Sequence, residues 1–168
     1  MTRRLIIMRI ALFPIVFIAL QWWWVAVHET TLEYVVIHHA VVQPAAWLIN
    51  LFTPDAHAVA VRFSVLSAGG GLNILNGCEG MDVVLLLLSA FLVAPLSIAS
   101  RMHGMMCGIA TVFVINQARI LILFYAYRAN RQWFDVLHST VTPVMVVLLV
   151  VLFFYAWLFN AQRHTQPA

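Results

Sequence analysis

Lysine is absent from this 168-residue chain, and its nine basic side chains are all arginines. Charged residues of both signs make up only 9% of the sequence, with a net charge of +3. So small and dispersed a charge excludes a nucleic-acid-binding surface. The missing lysine also excludes a Walker-type phosphate loop, since Gly69-Gly70-Gly71 is not followed by Gly-Lys-Ser or Gly-Lys-Thr. Cysteine is scarce as well. Cys78 and Cys107 form no C-x-x-C pair and are expected at opposite membrane faces, which excludes a thiol-oxidase motif and a structural disulfide. There is no Gly-x-Ser-x-Gly, no His-Glu-x-x-His and no pair of intramembrane aspartates, so intramembrane proteolysis by serine, zinc or aspartyl chemistry lacks its residues. The adjacent His38 and His39 point to different faces of a helix and do not make a metal or haem site, and no cofactor is expected.

What the chain has is apolar length. Hydrophobic residues make up 64% of it and the mean hydropathy is +0.95, outside the range of a soluble domain. There is room for four or five spans of roughly 20 residues and little else. The expected fold is an all-α polytopic membrane protein with about four transmembrane helices, an interfacial helix and a short extracytoplasmic β-hairpin. A single membrane domain follows: residues 1–52 as N-terminal anchor and interfacial helix, 53–80 as hairpin loop, 81–160 as helix bundle.

The first span runs from about Ile10 to His28, behind Arg3, Arg4 and Arg9 and ahead of an aromatic belt at Trp22, Trp23 and Trp24. No small-x-small cleavage site follows it, so it reads as a retained anchor rather than a signal peptide. Further spans are expected at about Met81 to Ser100, Met102 to Tyr127 and Val141 to Asn160. The stretch from Leu32 to Phe52 is interrupted by His38, His39, Gln43 and Pro44, which suits an interfacial helix. With that helix on the surface, Cys78, Arg128, Arg131 and His138 lie outside, and five arginines face inward against three. Were it to span, the bundle would invert and the count would become six against two, so counting arginines alone mildly favours inversion. Before the second span, Ala58 to Val65 alternates like a strand, Gly69-Gly70-Gly71 supplies a turn, and Leu72 to Leu75 returns.

Chemistry concentrates at Asn76-Gly77-Cys78-Glu79-Gly80. Here Asn76 is a candidate N-cap, Glu79 can complete a variant capping box, and a helix dipole would favour a Cys78 thiolate, opposed by Glu79 and Asp82. Taken alone, Cys78 would be a small apolar residue at a helix start. Arg119, however, lies mid-way along an apolar run, where an unpaired guanidinium costs a few kcal/mol. Snorkelling to Tyr127 would cover roughly 12 Å of helix, a strain on its reach. Asn116 lies on the same helical face, so the two can hold an oxyanion together. His138 begins the last span on the same membrane side as Cys78, and Asp135, three residues earlier, could fix its tautomer. A thiol, a cation and an imidazole make a set for acyl transfer. Cys107, near the far end of its helix, reads as packing.

Asn-x-Cys-x-Gly before a span, Asn-x-x-Arg in the next and His opening the following one resemble the exosortase/archaeosortase family over about Val61 to Phe159. The resemblance implies a membrane cysteine transpeptidase with Cys78, Arg119 and His138 on its catalytic positions. Its partners would be exported proteins bearing a C-terminal signal of short motif, hydrophobic helix and basic tail. An acceptor amine on a lipid or glycan, or water, would complete the reaction. The resemblance also implies an active site on the extracytoplasmic side of the cell (inner) membrane. A contrasting reading is a non-enzymatic transporter subunit or assembly factor that uses Arg119 as an intramembrane binding site.

Overall fold

The computed structural model describes residues 3–74 and 77–163. Five helices carry most of the chain: α1 (Arg3–Ala26), α2 (Thr31–Phe52), α3 (Met81–Val93), α4 (Ile98–Ala129) and α5 (Arg131–Ala161). Of these, α1, α2, α4 and α5 are long and apolar enough to cross a membrane. The count of four agrees with the sequence reading, but the set differs. The span expected from Met81 to Ser100 breaks at Val93, leaving α3 with 13 residues. At 1.5 Å per residue that is roughly 20 Å, short of a hydrocarbon core of roughly 30 Å. Pro95 is the cause, since it disfavours helix at the residue before it, and the Ser97 side chain then accepts the Ser100 N–H at the start of α4.

Helix α2 is the helix expected from Leu32 to Phe52, and the polar residues that interrupt its apolar run find partners within the protein. His38 Nδ1 donates to the Arg62 carbonyl at 2.6 Å, and His39 Nδ1 lies 2.8 Å from Gln43 Oε1. Pro44 is accommodated directly after a π-helical stretch, Val35–Val42. Of the expected aromatic belt, Trp22 and Trp23 are exposed while Trp24 is buried.

The expected hairpin is a three-stranded antiparallel meander of β1 (Val59–Val61), β2 (Ser64–Ser67) and β3 (Gly70–Asn73), in the order β1-β2-β3. What reads as one strand from Ala58 to Val65 is cut by a turn at Arg62-Phe63, where Arg62 takes φ 50°. Two of the three glycines lie in β3 rather than in a turn. Val65 pairs with Leu72, and both are buried. Asn50 near the end of α2 ties the sheet down, its side chain bonding both the N–H and the C=O of Ala58 at 2.7 Å.

The described residues fall into two compact units. One combines α1, α3, α4 as far as Val112 and α5 from Val147; the other combines Val27–Gly80 with Phe113–Val146. In the first, α1 and α3 run antiparallel, with Gln21 Nε2 donating to Asp82 Oδ1 at 3.1 Å. Gly104 and Gly108, one turn apart on α4, admit Phe91 and Leu87 from α3. A methyl on Gly104 would strike the Phe91 ring and lie 2.8 Å from Trp157 Nε1, while one on Gly108 would lie 2.5 Å from Leu87 Cδ2. Small residues four apart let helices approach closely in this way.

Gly104→Leu is therefore expected to destabilise the protein by about 1–3 kcal/mol through overpacking. Met106→Leu, on the exposed face, should change little. Thermal unfolding in detergent, read by ellipticity, compares the two; equal midpoints would show that the glycines are not packing positions.

Candidate active site

The segment before α3 is a glycine-flanked loop rather than a helical turn. Gly77 has φ 93° and Gly80 φ 82°, and the helix begins only at Met81. Cys78 therefore sits ahead of the helix instead of in its first turn, which removes the dipole argument for a thiolate. Asn76, the expected cap, lies outside the described residues. Glu79 folds back on the loop, its Oε2 accepting the Gly77 N–H at 2.7 Å, and is 8% exposed.

The loop rests on α4. Asn116 Nδ2 donates to the Glu79 carbonyl at 3.1 Å, and a Cβ on Gly80 would lie 3.0 Å from Asn116 Cγ. Asn116, which the sequence puts beside Arg119 for an oxyanion, holds the loop here, and its buried Oδ1 has no hydrogen-bond partner among the described residues. Three residues further along the same face, the Arg119 guanidinium reaches the loop with 6% of the residue exposed. Its Nη1 donates to the Gly77 carbonyl at 2.9 Å, its Nη2 to Cys78 Sγ at 3.7 Å, and its Nε to Thr142 Oγ1 at 3.1 Å.

His138 completes the cluster. It lies in a π turn of α5, Leu137–Val141, and its Nδ1 is 3.5 Å from Cys78 Sγ. One sulfur thus faces both a guanidinium and an imidazole, the three groups the sequence singled out. Asp135 is not part of the arrangement. It is exposed, and among the described residues no hydrogen bond or ion pair joins it to His138; its carbonyl accepts the Ser139 hydroxyl. The His138 ring is oriented by Phe134, stacked on it at 5.3 Å with planes 11° apart.

Thr142 is the site residue that sequence reasoning missed. Its hydroxyl accepts from Arg119 and donates to the Leu137 carbonyl at 2.9 Å, so one side chain fixes both the cation and the turn that carries His138. The signal was a threonine before Pro143 at the head of an apolar run, a place where hydroxyls bond back to the preceding turn.

Burial raises the Cys78 thiol above its ordinary range, the Arg119 guanidinium draws it down, and the Glu79 carboxylate adds to the rise. The balance is upward, opposite to the lowered value expected of a helix N-terminus, so the resting group is a thiol. Arginine carries five N–H donors. Three are engaged here, leaving two for a developing negative charge beside the sulfur. Chemically, such a set can serve as a nucleophile, a base within reach of its proton, and an anion stabiliser. Among the described residues no group of three His, Cys, Asp or Glu side chains is placed to hold a metal ion. Cys107 is a free, exposed cysteine on α4.

In a Cys107→Ala background, alkylation of Cys78 by iodoacetamide should accelerate only above the ordinary thiol range. Arg119→Gln should move that rise to still higher pH and Glu79→Gln to lower pH, as rates between pH 6 and 11 would reveal. Thr142→Val should weaken the Cys78–His138 pairing while Thr142→Ser preserves it, seen as a shifted alkylation profile in the first variant alone. The chain matches none of the family models, curated proteins or solved structures with which it was compared.

Proposed function

We propose that the protein is a membrane-embedded cysteine transpeptidase or peptidase that cleaves a C-terminal sorting signal from exported proteins. The observation that carries this reading is Cys78 Sγ held between Arg119 Nη2 at 3.7 Å and His138 Nδ1 at 3.5 Å. The exosortase-like order of these residues in the sequence supports the same assignment.

The chemistry rests on that geometry. As a peptide carbonyl approaches, His138 Nδ1 takes the Cys78 proton and the sulfur attacks the carbonyl carbon. The two free N–H groups of Arg119 stabilise the oxyanion. Collapse of the tetrahedral adduct breaks the C–N bond, His138 returns the proton to the leaving amine, and the N-terminal fragment remains as a thioester on Cys78. An acceptor amine, or water, then attacks the thioester; His138 removes the proton of that nucleophile, and Cys78 leaves as a thiol. Because burial keeps the thiol protonated at rest, deprotonation is coupled to substrate arrival.

We further propose a multi-pass protein of the cell membrane with the site facing away from the cytoplasm. Helix α2 supports this by its company. It bonds the sheet region at both His38–Arg62 and Asn50–Ala58, and an open-edged sheet does not belong in hydrocarbon. Placing α2 and the sheet together outside the apolar core keeps the loop of Cys78 outside as well, with α3 and the Ala94 to Ser97 turn after it making the return crossing that α3 alone is too short to complete. A transporter or assembly role built on Arg119 gains less support, because three of its donors are already engaged within the protein.

The test is co-expression with an exported protein from the same genome that ends in a short motif, an apolar helix and an arginine-rich tail. Cys78→Ala, Arg119→Gln and His138→Ala should each reduce processing by about 100-fold or more, the scale of losing a nucleophile, oxyanion donor or base. Cys107→Ala should process normally, and mass spectrometry should find a hydroxylamine-labile adduct on Cys78. Processing that survives Cys78→Ala would remove the proposal.

A further inference from the structure

Within the unit formed by α1, α3 and parts of α4 and α5, a cavity of about 540 Å³ lies between α1, α3 and α5, a volume in the range of small-molecule sites. Its walls are apolar, including Ile6, Phe13, Leu87, Ala90, Phe154 and Leu158, with one exception, Arg9. Arg9 Nη1 is buried and, among the described residues, has no hydrogen-bond partner.

A second arginine lies at the same end. The Gln21–Asp82 bond fixes α1 and α3 as antiparallel, which brings the Arg9 end of α1 to the Ala94-Pro95 end of α3, and both Ala94 and Pro95 line the cavity. Arg101 Nη2 donates to the Ala94 carbonyl at 3.2 Å, and its Nε is buried without a partner among the described residues. Trp157 Nε1 donates to the Ser100 carbonyl, so the later part of α5 meets the same end. Two guanidiniums with unused buried donors therefore stand where an apolar groove closes. Among the described residues of this unit, Asp82, at the opposite end, is the one acid against five arginines.

We infer that the groove binds an anionic phospholipid, with an acyl chain along the apolar walls and the phosphodiester on Arg9 and Arg101. A guanidinium pairs with phosphate through parallel charge-assisted hydrogen bonds, and a phosphodiester satisfies donors that otherwise stay desolvated. The charge pattern selects this occupant. A basic-tailed helix would meet like charge at the arginine end, and an uncharged lipid would leave both donors unpaired. The inference does not depend on the chemistry of Cys78.

The full chain, reconstituted in nanodiscs of equal parts phosphatidylglycerol and phosphatidylcholine, is released into native mass spectrometry and its retained lipids are counted. Phosphatidylglycerol should be enriched on the wild type. Arg9→Gln should lower that preference about fivefold, the effect of removing one basic group near anionic lipid, whereas Arg9→Lys should keep most of it. Ala90→Leu, which narrows the groove, should lower retention of both lipids, with unchanged ellipticity showing the fold intact. Equal retention of the two lipids by the wild type, an unaltered preference in Arg9→Gln, or a second copy of the chain in place of lipid would each overturn the assignment.

Discussion

A guanidinium withdrawn from water in an apolar protein must be answered by acceptors, and Arg119 is where the second unit meets that demand. Its three partners come from three places in the chain: the carbonyl of Gly77, the sulfur of Cys78 and the hydroxyl of Thr142. Leaving such a group uncompensated costs several kcal/mol, so the loop before α3 and the head of α5 are drawn to α4 together. The same bonds that satisfy the cation set the distances of the candidate site, so local stability and site geometry have one origin. Glu79 joins by bonding the loop to itself, and Asn116 by bonding the loop to α4.

That arrangement also sets the electrostatic character of the sulfur. A thiol in an aqueous helix N-terminus is activated before any substrate arrives. Cys78 is instead kept neutral by burial, with a cation and an imidazole at hand. In the proposed role, a thiol so held would be protected from oxidation and stray acylation while the site is empty, because its reactive form arises only when a proton can be passed on.

Much of this could be seen in the sequence because it rests on incompatibilities. A cation at position 119 and a histidine at 138 are out of place in apolar runs, and such residues need reasons that composition alone can expose. The long helices announced themselves by hydropathy. What escaped depended on short-range backbone geometry. Pro95 cut a span that hydropathy ran together, Arg62 accepted a positive φ inside an apparently alternating strand, and Gly77 with Gly80 kept Cys78 out of the helix. Asp135 looked right because a regular helix aligns residues three apart; the neighbouring π turn and the stacked Phe134 made a different partner available. Thr142 escaped because a hydroxyl gives no hydropathy signal.

The π turn at Leu137–Val141 separates two registers within one helix. On a regular helix, each added or removed residue rotates the remainder of the element by roughly 100°. The widened turn absorbs one extra residue, so the polar head of α5 and its apolar remainder need not share a single face. As far as Thr142 the helix answers to Cys78 and Arg119, while from Phe153 it answers to α3 and the glycines of α4. Sequence drift along the apolar stretch can then proceed without disturbing the imidazole, as long as the length of the chain through the turn is kept. Loss of one residue there would straighten the helix and turn His138 out of register with Thr142, a lesion of angle rather than of composition.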